Sequence, residues 1–198
     1  MGKLLFATTN PGKLRELREL MGGDLEVVSL ADLPPLPEVD EDQPTFEGNA
    51  EKKARAYAAA SELPTLADDS GLCVEALGGR PGVQSARYGD SDADRIRRLL
   101  KALEDVPVEG RRAEFRCVLC LAKPIGEAVL ELGRCEGRIL FAPRGANGFG
   151  YDPVFEVAGG SRTMAELSSV EKSAVSHRGI AFRKMRPHLL ALGGAGHR

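Results

Sequence analysis

No stretch of this chain approaches the roughly 18 to 20 consecutive apolar residues that cross a bilayer, so no membrane-spanning helix is expected. The first apolar run, in Lys3-Leu4-Leu5-Phe6-Ala7, is too short for the core of a secretory leader, and the expected location is the cytoplasm. An excess of charge of one sign is missing as well. Lys and Arg number 27 against 29 Asp and Glu, a net charge of −2. So balanced a chain has no global field to draw it to nucleic acid or lipid, and a polyanion has to be held by a local cluster. Internal repeats and low-complexity blocks are absent. Amides are scarce, with three Asn and two Gln, a bias that suits a thermophile or a GC-rich genome. All three Asn (Asn10, Asn49 and Asn147) fall in segments that carry candidate chemistry.

What is present is ordinary for a soluble protein with a real core: 198 residues, 42% hydrophobic and 28% charged. That length predicts one domain, residues 1–198, or two closely packed lobes. The four cysteines do not make a disulfide scaffold. Cys117-x-x-Cys120 has a redox spacing, but it lies inside Phe115-Arg116-Cys117-Val118-Leu119-Cys120-Leu121-Ala122. That segment reads as a buried strand, where positions three apart point to opposite faces. A redox pair wants a helix N-terminus to lower its thiol pKa, and no second pair or nearby His supports zinc. Core packing is the expected role.

Along the chain, Lys3 to Ala7 predicts a buried strand, broken at Thr8-Thr9-Asn10-Pro11-Gly12-Lys13. Leu14, Leu17, Leu20 and Met21 then recur at helical spacing until Gly22-Gly23. Leu25 to Leu30 predicts a second strand, followed by an acidic, proline-rich loop from Ala31 to Pro44. Thr45 is the expected N-cap of a long Ala-rich helix ending near Glu62. Thr65 to Asp68 predicts a strand that turns at Asp69-Ser70-Gly71 and resumes from Leu72 to Leu77. Ser91-x-x-Asp94 predicts a capping box for a helix to about Glu104. Ala113 to Lys123 and Glu127 to Leu132 predict a hairpin, and Arg138 to Phe141 and Pro153 to Val157 predict further strands. Helices near Thr163–Leu167 and His177–Leu192 close the chain, with Gly193 to Arg198 expected to fray. Helices and strands alternate early and strands dominate the middle, a pattern for an α/β fold with a mixed sheet.

The turn Thr8 to Lys13, between strand and helix, points backbone N–H groups and the helix dipole at an anion, with Asn10 and Lys13 as further donors. It is not a Walker A loop, and alone it reads equally as a turn with a surface Lys. In the next helix Asn49 and Lys53 stand four apart, on one face. Asp68-Asp69-Ser70-Gly71 is the sharpest local signal. Two adjacent carboxylates at the end of a buried strand are costly unless a cation offsets them, and α/β sheets bind ligands at the carboxyl ends of strands. Oxygen donors favour Mg²⁺ or Mn²⁺ completed by a substrate phosphate. A turn-capping Asp and a phosphoryl-accepting Asp are the competing readings. The acidic loop Asp40-Glu41-Asp42 offers a further carboxylate. Gly145 to Asp152 offers close backbone approach and two aromatics for stacking on a base, and Lys172 to Gly179 brings Lys, His and Arg within a short span.

Taken together, six segments resemble the inosine triphosphate pyrophosphatases, also called XTP/dITP diphosphatases. They are Thr8-Thr9-Asn10-Pro11-Gly12-Lys13, Thr45-Phe46-Glu47-Gly48-Asn49-Ala50, Ala67-Asp68-Asp69-Ser70-Gly71-Leu72, Pro81-Gly82-Val83-Gln84-Ser85-Ala86-Arg87-Tyr88, Gly148-Phe149-Gly150-Tyr151-Asp152-Pro153 and Glu171-Lys172-Ser173-Ala174-Val175-Ser176-His177-Arg178-Gly179. They follow the family's order over nearly the whole chain. The resemblance implies an elongated mixed sheet in two lobes with a central cleft, and a homodimer. It implies Mg²⁺-dependent cleavage of ITP, dITP and XTP to the monophosphate and pyrophosphate, which clears deaminated purines from the nucleotide pool; Mn²⁺ is the expected substitute. Carried over by position, Asp69 is the general base, and Glu41, Asp69 and Asp68 hold the metal. Thr8, Thr9, Asn10, Pro11, Gly12, Lys13 and Lys53 hold the phosphates. Ser70, Phe149, Gly150, Tyr151, Asp152 and Lys172 hold the nucleoside end, and His177 and Arg178 read the base. A C6 carbonyl rewards donors from Arg178 or His177, whereas an amine there leaves them unpaired. Gly48, Gln84 and Asn147 depart from the family's usual residues. The rival readings are a Maf-like pyrophosphatase with a pyrimidine preference, against which Ser176-His177-Arg178-Gly179 argues, and a nucleotide sensor, against which the paired carboxylates argue.

Overall fold

The computed structural model describes residues 3–22 and 25–194. Its regular elements are β1 (Lys3–Phe6), α1 (Pro11–Met21), β2 (Glu26–Ser29), α2 (Phe46–Ser61), β3 (Thr65–Val74), α3 (Asp92–Ala102), β4 (Arg112–Ala122), β5 (Ala128–Ile139), β6 (Phe155–Val157), α4 (Ser169–Val175) and α5 (His177–Gly194). The sheet has strand order β2-β1-β3-β4-β5-β6. β1 pairs in parallel with β2 and β3, and β5 pairs antiparallel with β6, so the expected mixed α/β sheet is what forms. Among the described residues no helix is long and apolar enough to cross a membrane. The fraying expected from Gly193 onward falls largely on residues 195–198, outside the described residues.

The chain divides into two compact units. The first comprises Met1–Asp69, Cys117–Leu132 and Ala181–Arg198, and the second Ser70–Arg116 and Gly133–Ile180. In the first, Leu4 and Phe6 of β1, Leu17 and Met21 of α1, Leu66 of β3, Leu119 of β4 and Phe182 and Met185 of α5 form one apolar core. In the second, Leu72 and Val74 of β3, Ile96 and Leu99 of α3, Phe115 of β4, Ile139 of β5 and Phe155 of β6 form another. Each fully buried Leu or Phe contributes about 1.5–3 kcal/mol relative to exposure. Cys117 and Cys120 are buried in β4 and, like Cys73 and Cys135, take part in no disulfide.

Several local expectations are corrected. Asp69-Ser70-Gly71 does not turn; β3 runs unbroken through it, because Leu66, Ala67, Leu72 and Val74 on either side are all fully buried. The residues after Val74 form a 3₁₀ turn, Glu75–Leu77, rather than more strand. The two strands predicted at Glu127–Leu132 and Arg138–Phe141 are one, β5, with Gly133 and Gly137 inside it. At Gly137 a Cβ would stand 2.2 Å from the Glu156 carbonyl oxygen of β6, so the glycine that looked like a break permits close strand pairing. The piece near Thr163–Leu167 is a short 3₁₀ turn, and α4 was not anticipated. The Ser91 side chain caps α3 by accepting from Asp94 N, but the Asp94 carboxylate accepts from Asp90 N instead of closing the box.

Candidate active site

The apolar face of α2 carries Phe46, Ala50, Ala54, Tyr57 and Ala58, yet Asn49 and Lys53 are buried with them. Buried polar groups are costly unless satisfied, and both are. Asn49 Nδ2 donates to Asp69 Oδ2 at 2.9 Å, while its Oδ1 accepts from Gln43 N at 2.9 Å. One amide thereby ties the end of the acidic loop to β3. Lys53 Nζ donates to the Asp68 carbonyl at 2.6 Å and also to the carboxylate of Glu41. Burial alone would pull the Lys53 ammonium down, and the carboxylates of Asp68 and Glu41 more than reverse that, leaving it raised.

Asp68 and Asp69 differ in environment although they are neighbours. Asp68 is fully buried and its two oxygens face Lys13 Nζ at 3.0 and 2.9 Å. Asp69 is pushed up to about 6, chiefly by burial and further by the nearby Glu41 charge, against the opposing effects of Asn49, Lys53 and Lys13. The first unit thus gathers Glu41, Asp68 and Asp69 with Lys13, Lys53 and Asn49. Among the described residues, no three His, Cys, Asp or Glu side chains are grouped so as to hold a metal ion by themselves. Mg²⁺ does not require such a group, since it is held by one or two carboxylates with substrate phosphates and water, and the all-oxygen donor set here fits that hard cation.

The turn from Thr8 to Lys13 is organised differently from the expectation of outward N–H groups. Asn10 Oδ1 caps α1 by accepting from Gly12 N and Lys13 N at 2.9 and 3.2 Å, and Thr8 Oγ1 accepts from Asn10 N at 3.1 Å. Pro11, at the first helical position, has no N–H to offer. The turn therefore presents the Lys13 charge, the exposed Thr9 and the positive end of α1 more than a nest of amides.

A second set lies in the other unit. Lys172 Nζ donates to Asp152 Oδ2 at 2.7 Å, and the same oxygen accepts from Phe149 N at 2.9 Å. Gly148, at φ +77, leaves no room for a Cβ, which would meet that oxygen at 2.1 Å. The Phe149 ring has Lys172 Nζ 4.8 Å and the Arg178 guanidinium carbon 5.6 Å from its centroid. Arg178 donates to Ser70 Oγ at 3.0 Å, and His177 stacks on Phe115 with centroids 4.7 Å apart. Asp152, Lys172, His177 and Arg178 are all nearly fully buried. Gly150 N donates to Asp92 Oδ2 at 2.7 Å, and Tyr151 donates its hydroxyl to the Ser85 carbonyl at 2.9 Å.

Asn49 carried no assigned role in the sequence, although a polar residue on the Ala50-Ala54-Ala58 face was the signal available. Ser85 and Asp92 left no such signal, because their partners are backbone groups distant in sequence, and Gln43 acts through its own backbone N–H, which any residue there would supply.

The Ham1 family model matches residues 4–188. A dITP/XTP pyrophosphatase of Geobacter sulfurreducens is 50% identical over 96% of this chain and 97% of its own length. One of Anaeromyxobacter sp. is 47% identical over 98% and 99%. The structure of a HAM1 protein from Coxiella burnetii superposes with a TM-score of 0.86 at 40% identity, covering 96% of this chain and 98% of that one. A nucleoside-triphosphatase / dITP/XTP pyrophosphatase from Mycobacterium abscessus is 48% identical with a TM-score of 0.76, over 93% and 99%.

Proposed function

The chain belongs to the Ham1 family, and on that footing we propose that it hydrolyses the deaminated purine nucleoside triphosphates dITP, XTP and ITP to the monophosphate and pyrophosphate. The observation that carries the reading is Asp69: buried, oriented by Asn49, raised to about 6 and set among Glu41, Asp68, Lys13 and Lys53. A buried carboxylate whose plane is fixed by a hydrogen bond is placed to accept a proton from water. The names of the relatives supply the substrate class.

In this reading Asp69 takes the proton of a water whose oxygen bonds to the α-phosphorus, and the bond from that phosphorus to the bridging oxygen breaks to release pyrophosphate. Asn49 holds one carboxylate oxygen and so sets the plane of the base. Glu41, Asp69 and Asp68 are the residues that would hold Mg²⁺, with Mn²⁺ as substitute. When bound, the ion neutralises phosphate charge that would otherwise repel the carboxylates. Lys13 and Lys53 add positive charge for the same purpose, and Thr8, Thr9 and the N-terminus of α1 complete the phosphate end. Phe149, with Lys172 and Asp152 around it, supports the nucleoside, and Arg178 and His177 read the carbonyl at C6. Rejecting adenine follows, because its amine leaves buried donors unpaired. The reading extends to a homodimer in the cytoplasm, with neither nucleic acid nor membrane as partner.

The test is release of pyrophosphate and orthophosphate from dITP, XTP, ITP, ATP, GTP, dTTP and UTP, each with and without Mg²⁺. Pyrophosphate from the first three, only with the metal, is the expected result. Orthophosphate release, a pyrimidine preference or silence on every substrate would each overturn the reading.

A further inference from the structure

The segment Pro81 to Tyr88 contributes no residue to the chemistry above, yet its Ser85 is buried and makes three hydrogen bonds, two of them to other parts of the second unit. Ser85 Oγ accepts from Leu72 N of β3 at 2.9 Å and donates to the Gly82 carbonyl at 2.6 Å. Its carbonyl accepts the Tyr151 hydroxyl at 2.9 Å. Tyr151 is itself almost wholly buried, and burial pushes its hydroxyl well above the ordinary range, so it serves as a donor throughout the working pH range.

These bonds close a circuit. From β3 it runs Leu72 to Ser85, Ser85 to Tyr151, and along the chain from Tyr151 to Phe149. Phe149 stands beneath the Arg178 guanidinium, and Arg178 returns to β3 at Ser70, two residues before Leu72. A second strut, Gly150 N to Asp92 Oδ2 at 2.7 Å, fixes the same loop to the first turn of α3.

We infer that Ser85 and Tyr151 are positioning residues: they pin the Phe149 loop to β3, and so set the height of the Phe149 ring under Arg178, without touching the substrate. The inference rests on the proposed function for what the ring and the guanidinium recognise. It changes the part given to Tyr151, from contact with the nucleoside to an internal brace. Losing the Tyr151 hydroxyl bond leaves the loop on its Asp92 strut but frees it from Ser85 and β3, so its recognition surface shifts, while groups that bind phosphate in the other unit keep their partners. The signature is a selective loss of base recognition.

Tyr151→Phe keeps the ring in the core and deletes only the donor; Ser85→Ala deletes the link to Leu72. Binding of IMP and of inorganic pyrophosphate, each in Mg²⁺, is measured by titration calorimetry for the wild type, both variants and the double variant. Circular dichroism melts run alongside. The expected result is about a 3- to 10-fold weaker IMP affinity for Tyr151→Phe, in line with the loss of one buried hydrogen bond. Pyrophosphate affinity stays unchanged, the preference for dITP over ATP narrows, and the double variant loses less than the two singles combined. Unchanged IMP affinity in a folded Tyr151→Phe overturns the inference. So does an equal loss for IMP and pyrophosphate, which would mark a merely structural role. If Ser85→Ala fails to fold, Tyr151→Phe alone decides. A wild type that binds neither ligand sinks the functional reading instead, and the inference with it.

Discussion

Asn49 holds Asp69 with one end of its amide and the backbone of Gln43 with the other, at 2.9 Å each. This residue therefore orients the proposed base and secures the stretch of loop that carries Glu41. Asn49→Ala removes both bonds while leaving the helix intact, since Ala is a better helix former. A hydrogen bond to a charged group is worth about 1.5–3 kcal/mol, so kcat is expected to fall roughly 10- to 100-fold. Steady-state rates on dITP check this, with circular dichroism to confirm the fold. Asn49→Asp, which sets two carboxylates face to face, is expected to be worse than Asn49→Ala.

Asp69→Asn should separate activity from stability. Turnover is expected to disappear, with triphosphate binding still detectable. The unfolded carboxyl titrates near 3.8 and the folded one near 6. Ionised Asp69 therefore costs the folded state, by up to about 3 kcal/mol once pH exceeds the folded value. The sign follows: its favourable protonated form is fully present below about pH 4 and is lost as pH rises through about 6. In chelator, Asp69→Asn should melt several degrees above wild type at pH 8, with the gap closing toward pH 4. A lower melting temperature at pH 8 would contradict this account.

Arg178→Ala should damage dITP turnover far more than any residual ATP turnover, because Arg178 is assigned to the C6 carbonyl. Discrimination between a substrate and an analogue that leaves a buried donor unpaired can be large, and losing that donor is expected to cost at least tenfold on dITP. Ratios of kcat/KM for the two nucleotides in wild type and variant decide it. An equal loss on both would remove Arg178 as the base reader.

The thiols offer a check on the core. Burial pushes Cys120 up to about 12 and Cys135 up to about 11, so both stay protonated and slow to react at pH 8. Cys117 is fully buried as well, and Cys73 is the half-buried exception. A thiol-disulfide reagent should label Cys73 alone, and slowly, in the native protein, and all four cysteines in denaturant. Rapid native labelling of Cys117 or Cys120 would revive the redox reading that their spacing suggested.

Much of the fold was legible because it is written locally. Thr45 capping α2, Asn10 and Gly22 bounding α1, and the apolar runs of β1 and β4 are signals carried by adjacent residues. The misreadings share one cause. At Asp69-Ser70-Gly71 small and polar residues suggested a break, whereas packing on both sides kept β3 going; in β5 the glycines at 133 and 137 interrupt the apolar pattern but not the strand. The α4 helix carries a local sign, the reciprocal capping box Ser168-x-x-Glu171. In the site, the charged residues were visible by type and spacing. Of the groups that hold them, Asn49 reaches Asp69 across 20 residues of chain and Ser85 reaches Tyr151 across 66, and such pairings are set by the fold rather than by neighbouring residues.

The division of the chain bears on how the protein is made. The first unit is begun by the first 69 residues, resumed at Cys117 and finished only from Ala181 onward. During synthesis, Leu4, Phe6 and Leu66 emerge early but wait for Phe182, Met185 and Leu189, which come near the end of translation. A nascent chain halted before α5 therefore carries Lys13, Glu41, Asn49, Lys53, Asp68 and Asp69 on an unfinished support. The core beneath the carboxylates closes only when the last helix leaves the ribosome, so truncation before α5 is expected to unsettle the proposed catalytic residues although it removes none of them.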